Sequence, residues 1–143
     1  MADSSIIGAT GAYFVAGELS KRNLIALLTT RNTAGIDIIV TNPTTYKSTN
    51  IQVKTTQRNP PWLLSKKDEK SHGKNLFYVF VDMTNKKIEY YIIPSNIVSK
   101  RVKERHQRWL KGKSTRVDGV MRKFILLESD KANYLNKWDS LGI

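Results

Sequence analysis

The sequence predicts an α/β domain in which helices flank a mixed β-sheet. Three patterns carry this prediction. A segment rich in Leu, Ala and Lys near the N-terminus is typical of a helix, several short runs alternate apolar and polar residues as strands do, and a basic amphipathic segment follows Pro94. With 143 residues, 40% of them hydrophobic, the chain is long enough for one domain over 1–143 with its own core.

The predicted elements follow the order helix, four strands, helix, strand, helix. From the N-terminus they are helix 6–31, strands 35–40 and 50–56, a polar loop 57–75, strands 76–83 and 87–94, helix 96–112, strand 122–128 and helix 130–138. Each of the first two strand pairs is predicted to form a hairpin. Loops as long as 57–75 are usually functional or mobile in a compact domain.

The charge balance indicates a polyanionic partner. The chain has 24 Lys and Arg against 12 Asp and Glu, a formal net charge of +12. For a globular chain, nucleic acid is the partner that such an excess favours, while a solvated basic surface or an anionic membrane surface is the alternative.

Composition excludes several other classes of site. The chain has no cysteine, so disulfides, thiolate metal sites and a cysteine nucleophile are excluded, and two histidines are too few to favour a histidine-built zinc site. The apolar runs are too short to span a bilayer, and the N-terminus lacks the basic start of a secretory signal. We therefore expect a cytoplasmic protein without a membrane segment.

Four polar residues stand at unusual positions. Glu18 falls on a largely apolar helical arc, Asp37 lies between isoleucines in a strand, and Gln52 and Lys54 share one face of the strand at 50–56. Each has a structural explanation as well as a functional one. Glu18 can pair with a neighbouring cation, Asp37 can accept turn hydrogen bonds, and Lys54 can extend to solvent.

Taken together, the four residues predict a metal site. Asp37 and the face that carries Gln52 and Lys54 meet across the first hairpin, and a helix packed on that hairpin could add Glu18. Two carboxylates, an amide oxygen and the backbone carbonyl of Val53 are hard oxygen ligands suited to Mg²⁺. Lys54 would stand beside the attacking water of a hydrolysis reaction.

In this order and spacing, the residues resemble the PD-(D/E)xK nuclease superfamily over about residues 10–115. The resemblance implies a restriction-endonuclease-like core of order α-β-β-β-α-β. Glu18 corresponds to the helical acid of that motif, Asp37 to its aspartate, Gln52 to its second acid and Lys54 to its lysine. Isoleucine precedes Asp37 where the motif has proline. The Gln-x-Lys form is similar to Mrr-like restriction enzymes and intron-encoded homing endonucleases.

The resemblance implies a catalytic set of Glu18, Asp37, Gln52 and Lys54 and hydrolysis of DNA phosphodiester bonds with Mg²⁺, for which Mn²⁺ can substitute. A small chain without a separate specificity domain suits a homing endonuclease or a Holliday-junction resolvase acting on double-stranded or branched DNA. A homodimer or higher homo-oligomer would bring two sites to one duplex. The alternative is a catalytically inactive basic nucleic-acid-binding protein of the same fold; an RNA-binding module is a further one.

Nucleic-acid contacts are expected along the strand end, the long loop and the basic helix. The candidate residues are Thr55, Thr56, Gln57, Arg58, Lys66, Lys67, Arg101 and Arg105. The loop is either a clamp on the nucleic acid or a solvated segment. Trp62 in that loop can stack on a base or, as we expect, anchor the loop to the core.

Overall fold

The computed structural model describes residues 3–30, 35–70 and 73–143, and these ranges contain three α-helices and seven β-strands. In chain order the elements are α1 (Ser4–Lys21), β1 (Ile25–Leu28), β2 (Ile38–Thr41), β3 (Ser48–Thr56), β4 (Trp62–Ser65), a 3₁₀ helix (Lys66–Glu69), β5 (Leu76–Asp82), β6 (Glu89–Pro94), α2 (Ser95–Gly112), β7 (Met121–Phe124), α3 (Asp130–Tyr134) and a second 3₁₀ helix (Trp138–Leu141).

The main sheet has five strands in the order β1-β2-β3-β5-β6. The β3–β5 pair is parallel and the other three pairs are antiparallel. This is the mixed sheet that the sequence predicts, and both predicted hairpins, β2–β3 and β5–β6, are confirmed. A second sheet contains β4 and β7, which pair antiparallel.

The period-two alternation of β3 and β5 divides the core into two layers. Ile51 and Val53 pack with Val15 and Leu19 of α1 on one face. On the other face, Tyr78 and its neighbours pack with α2 and with the second sheet. Helices therefore flank the main sheet on both faces, as predicted, and β5 contributes residues to both layers.

The first helix is shorter than predicted. It ends at Lys21, because Asn23 adopts a left-handed conformation (φ 59°), and the N–H of Leu24 returns to the carbonyl of Leu19 at 3.2 Å. The residues that follow form β1, which pairs with β2. Leu and Ala favour helices in isolation, but the neighbouring strand overrides that preference here. Residue 31, the last of the predicted helix, lies outside the described residues.

The predicted loop 57–75 contains regular structure. Its apolar run forms β4, which pairs with β7, and the 3₁₀ helix follows directly. Trp62 is only 1% exposed and its indole N–H donates to the carbonyl of Val81 at 3.1 Å, so the expected anchoring role is confirmed. Residues 71 and 72 of this segment lie outside the described part of the chain.

The C-terminal elements are also shorter than the sequence indicates. The predicted strand 122–128 is reduced to β7, and the predicted helix 130–138 ends at Tyr134 because Asn136 has a positive φ of 54°. Within the described ranges, no helix combines the length and the apolar character that a membrane crossing requires.

We predict that Gly11→Ala destabilises the protein. A β-carbon at Gly11 would overlap the hydroxyl of Thr55 and approach its Cβ and Cγ2 to 2.9 Å, so α1 would have to move away from β3. Overpacking of this kind costs about 1–3 kcal/mol of unfolding free energy, measurable by urea denaturation. Gly8→Ala is the matched control, because nothing lies within 4 Å of that position. It should instead stabilise the exposed helix by roughly 0.5–1 kcal/mol, and equal effects of both changes would contradict the prediction.

Candidate active site

The candidate site lies where β2 separates from β3. The N–H of Asp37 donates to the carbonyl of Ile51 at 2.8 Å, which is the last backbone bond before β2 begins at Ile38. Two residues further along β3, the N–H of Val53 donates to the Asp37 carboxylate at 2.7 Å. The side chain thus replaces the backbone acceptor that β2 no longer provides.

Gln52 and Lys54 lie on the face of β3 opposite α1. Their neighbours Ile51 and Val53 are buried against that helix, so alternation directs Gln52 and Lys54 to the other face. Gln52 is paired with Tyr78 in the β3–β5 register. Its Oε1 is buried and has no hydrogen-bond partner. An unpaired buried acceptor of this kind costs about 1–3 kcal/mol, which makes it a candidate ligand atom.

The charge of Asp37 is disfavoured by its surroundings. Burial raises the pKa of the Asp37 carboxyl above its ordinary value, while the Val53 N–H and the charge of Lys54 offset part of this effect. The carboxyl accepts the Val53 N–H through Oδ2. An acid with a raised pKa beside a lysine, at the end of a strand, is typical of a functional site.

A second carboxylate, from the predicted loop 57–75, belongs to the same region. Asp68 of the 3₁₀ helix is only 4% exposed, and it lines a pocket of about 260 Å³ together with Gln52 and Tyr78. It accepts hydrogen bonds from the Tyr78 hydroxyl at 2.5 Å and from the Ser65 N–H at 2.8 Å. The spacing of Ser65 and Asp68, which form a capping box, is the sequence signal that could have identified it.

These hydrogen bonds keep Asp68 ionised. Burial raises its pKa, but the bonds from Tyr78 and Ser65 and the charge of Lys54 outweigh burial, so the pKa of Asp68 is lowered overall. Burial together with this acceptor raises the pKa of Tyr78, so its hydroxyl remains a donor. The charge of Lys54 therefore lowers the pKa of both the Asp37 and the Asp68 carboxyl groups.

Glu18 is paired within its own helix. Its carboxylate lies 2.8 Å from Arg22 and 3.6 Å from Lys21, and the hydrogen bond from Arg22 is the main reason that its pKa is lowered. Burial, together with the charge of Glu18, raises the pKa of Tyr90 of β6. The structure thus places Asp37 within the electrostatic influence of Lys54 and bonds it to Val53, the residue between Gln52 and Lys54, whereas Glu18 has other partners. Among the described residues, no three acids and histidines cluster as a metal site, and the metal role of Glu18 stays a prediction.

The candidate nucleic-acid residues near the site differ in accessibility. Thr55 lies beneath Gly11 of α1, and Thr56 bonds locally to the chain that follows it. By contrast, Gln57, Arg58, Lys66 and Lys67 are exposed. Lys67 also lines the pocket that contains Gln52.

On α2, the two candidate arginines have different surroundings. Arg101 forms two hydrogen bonds to the buried Asp130, at 2.6 and 2.9 Å. Arg105 lines a groove of about 480 Å³ between α2 and the segment after β7. The groove is also lined by Lys100, Arg101, Arg108 and Lys123, and among the described residues Glu104 is the one acid in this lining.

The fold is shared with a homing endonuclease of known structure. That protein is the bacterial homing endonuclease I-Ssp6803I, whose structure superposes with a TM-score of 0.60 at 9% sequence identity and covers 98% of this chain and 93% of its own. At that identity the likeness concerns the fold. No protein-family model and no curated protein sequence matches the chain.

We predict that Asp37→Asn becomes more stable than the wild type as the pH rises. Because burial raises the pKa of Asp37 above its unfolded value of 3.8, the native state binds the proton more tightly. The contribution of Asp37 to stability is thus lost as the pH rises through its native pKa. Asparagine lacks this penalty and still offers an oxygen to the Val53 N–H.

Urea denaturation at acid and at neutral pH measures this difference. Asp139→Asn, on an exposed residue, controls for the loss of one negative charge from a cationic chain. A stability difference between Asp37→Asn and the wild type that falls with rising pH would contradict the assignment.

Proposed function

We propose that the protein is a metal-dependent endonuclease that hydrolyses DNA phosphodiester bonds. The observation that carries the proposal is the buried, unpartnered Oε1 of Gln52, on the same face as Lys54 and one residue before Val53, whose N–H donates to Asp37 where β2 leaves β3. The fold shared with a homing endonuclease supports DNA as the substrate, and the net charge of +12 supports a polyanion.

The residues present fit a hard divalent cation. Asp37 and the unpartnered oxygen of Gln52 are oxygen ligands of the kind that Mg²⁺ prefers. Since a strand residue directs its N–H and C=O to the same side, the Val53 carbonyl faces the side on which Asp37 lies. These three would hold Mg²⁺, or Mn²⁺ in its place. Such an ion, when bound, neutralises phosphate charge and lowers the pKa of water.

The side chains of the site have separate roles in this proposal. The Val53 N–H fixes the Asp37 carboxylate, so this acid needs little reorganisation on binding a cation. Lys54 contacts the scissile phosphate and either orients the attacking water or stabilises the negative charge that develops in the transition state. In-line attack of water on phosphorus forms a new P–O bond as the bond to the 3′-oxygen breaks, and the products are a 5′-phosphate and, once the 3′-oxygen takes a proton from water, a 3′-hydroxyl.

The DNA path that we propose runs from the site to the basic groove. Arg58 and Lys67 are exposed near the site, and Lys100, Arg105 and Arg108 are further along, in the groove of α2. Arg101 serves the fold through Asp130. A homodimer or higher oligomer would let two copies cut one double-stranded or branched substrate.

A specific observation favours an alternative, a catalytically inactive DNA-binding protein of this fold. Glu18 is held by Arg22 and Lys21, and Gln52 is neutral. Asp37 is then the one carboxylate of the predicted metal set that is free of an ion pair in the described residues. Either Glu18 leaves its partners when a cation binds, or the site has too little charge for catalysis.

Cleavage assays distinguish the two functions. We expect metal-dependent nicking of supercoiled plasmid or branched DNA by the wild type. Lys54→Ala and Asp37→Ala should each lower the cleavage rate by roughly 100-fold or more, as expected for loss of a group that acts in the transition state. Lys87→Ala, an exposed lysine in the β5–β6 turn, is the matched control and should cleave normally. DNA binding without cleavage at any divalent ion would instead establish the inactive protein.

The salt dependence of DNA binding tests whether DNA binds in the groove of α2. Each phosphate contact contributes about 0.9 to the slope of log K against log salt concentration. The double variant Lys100→Gln with Arg105→Gln should therefore reduce that slope by roughly 2, measured by fluorescence anisotropy. Lys47→Gln with Lys137→Gln removes the same charge outside the groove. An equal loss of slope in both pairs would mean that DNA does not bind in the groove.

A further inference from the structure

The 3₁₀ helix connects the candidate site with the second sheet through two adjacent acids. Asp68 bonds to Tyr78 of the main sheet at 2.5 Å. Glu69 pairs at 2.6 Å with Arg122 of β7. Arg122 is itself buried and donates to the carbonyls of Gly119 and Met121. The two adjacent acids therefore have separate partners, Asp68 in the main sheet and Glu69 in the second sheet.

The Asp68 carboxylate is poorly suited to bind a ligand directly. One oxygen accepts the Tyr78 hydroxyl and the other accepts the N–H and the hydroxyl of Ser65. With both oxygens occupied and 4% of the residue exposed, a metal ion would have to displace these donors. An ionised, buried carboxylate still requires a cation nearby.

Lys54 is the cation whose charge acts on Asp68. Asp68 bonds to Tyr78, which is the register partner of Gln52, and Lys54 lies two residues after Gln52 on the same face of β3. Asp37 lies one residue before β2 and accepts the N–H of Val53, the residue before Lys54. In the described part of the chain, neither the Asp37 nor the Asp68 carboxylate lies within 4.0 Å of the Lys54 ammonium, the limit for an ion pair. The ammonium is thus attracted by two carboxylates and remains available to a phosphate.

We propose that Asp68 is a positioning residue, which holds the Lys54 ammonium at the site in place of the carboxylate that is absent at Gln52. Without it, a strand lysine extends to solvent, as such side chains commonly do. This role rests on the proposed nuclease function, in which Lys54 contacts the scissile phosphate. Asp68 acts through Lys54 and contacts neither the substrate nor the metal ion.

The test compares two acid-to-amide variants at neighbouring positions of the same 3₁₀ helix. Asp68→Asn removes the charge beside Lys54, and Glu69→Gln removes the charge beside Arg122. We expect Asp68→Asn to lower the cleavage rate at saturating DNA by roughly 10- to 100-fold, the usual cost of losing such a supporting contact. The dissociation constant for DNA should be unchanged. Glu69→Gln should retain the wild-type rate.

A second readout needs no cleavage. In the DNA-free protein, the NMR order parameter of the Lys54 Cε group should fall in Asp68→Asn and stay at its wild-type value in Glu69→Gln. If Asp68→Asn does not fold, Tyr78→Phe is the second variant. It removes one of the hydrogen bonds to Asp68 and should lower the Lys54 order parameter, by less than the loss of the Asp68 charge would.

The two proposals fail separately. A wild-type protein that cuts no DNA would refute the nuclease function, while a lower order parameter in Asp68→Asn would still support the hold on Lys54. An unchanged order parameter in both Asp68→Asn and Tyr78→Phe would overturn the inference even if the wild type cleaves DNA. Equal loss of activity in Asp68→Asn and Glu69→Gln, with Lys54 equally ordered in both, would assign Asp68 a purely structural role.

Discussion

The hydrogen bond from the Val53 N–H to the Asp37 carboxylate is the contact on which the candidate site depends. The β2 ladder ends at Ile38, and without this acceptor a backbone donor of the central strand would be unpaired. The carboxylate that satisfies it is partly buried and carries a raised pKa as a result. A single side chain therefore closes the sheet at the point where the strands diverge and supplies the acid of the site.

The two faces of β3 have different roles: one packs in the core and the other carries residues of the candidate site. Ile51 and Val53 belong to the apolar layer beneath α1, whose close approach depends on Gly11 facing Thr55. Gln52 and Lys54 lie on the opposite face, beyond the edge of the layer that α2 covers. Because alternation ties the two sets together, a shift of one residue in register would bury the lysine and expose the isoleucine. The packing under α1 thus sets which residues reach the site.

Local patterns predicted the elements whose partners are near in sequence. The β2–β3 hairpin and the Gln52 and Lys54 face follow from alternation alone. The strand β1 could not be predicted, since Leu and Ala favour a helix until β2 provides a partner. Asp68 was missed for a similar reason: its spacing from Ser65 indicates a local capping box, but its burial depends on the distant Tyr78. Contacts between distant segments decided both cases.

The placement of the acids changes what the net charge means for binding. The formal excess of +12 treats every carboxylate as an exposed charge. In the structure, Asp130 and Asp68 are buried and Glu69 is paired with the buried Arg122. These acids stabilise the fold and contribute little to the surface that an approaching polyanion meets. Since a buried, compensated acid does not repel phosphate as an exposed one does, carboxylates at the candidate site are compatible with the polyanionic partner that the net charge favours.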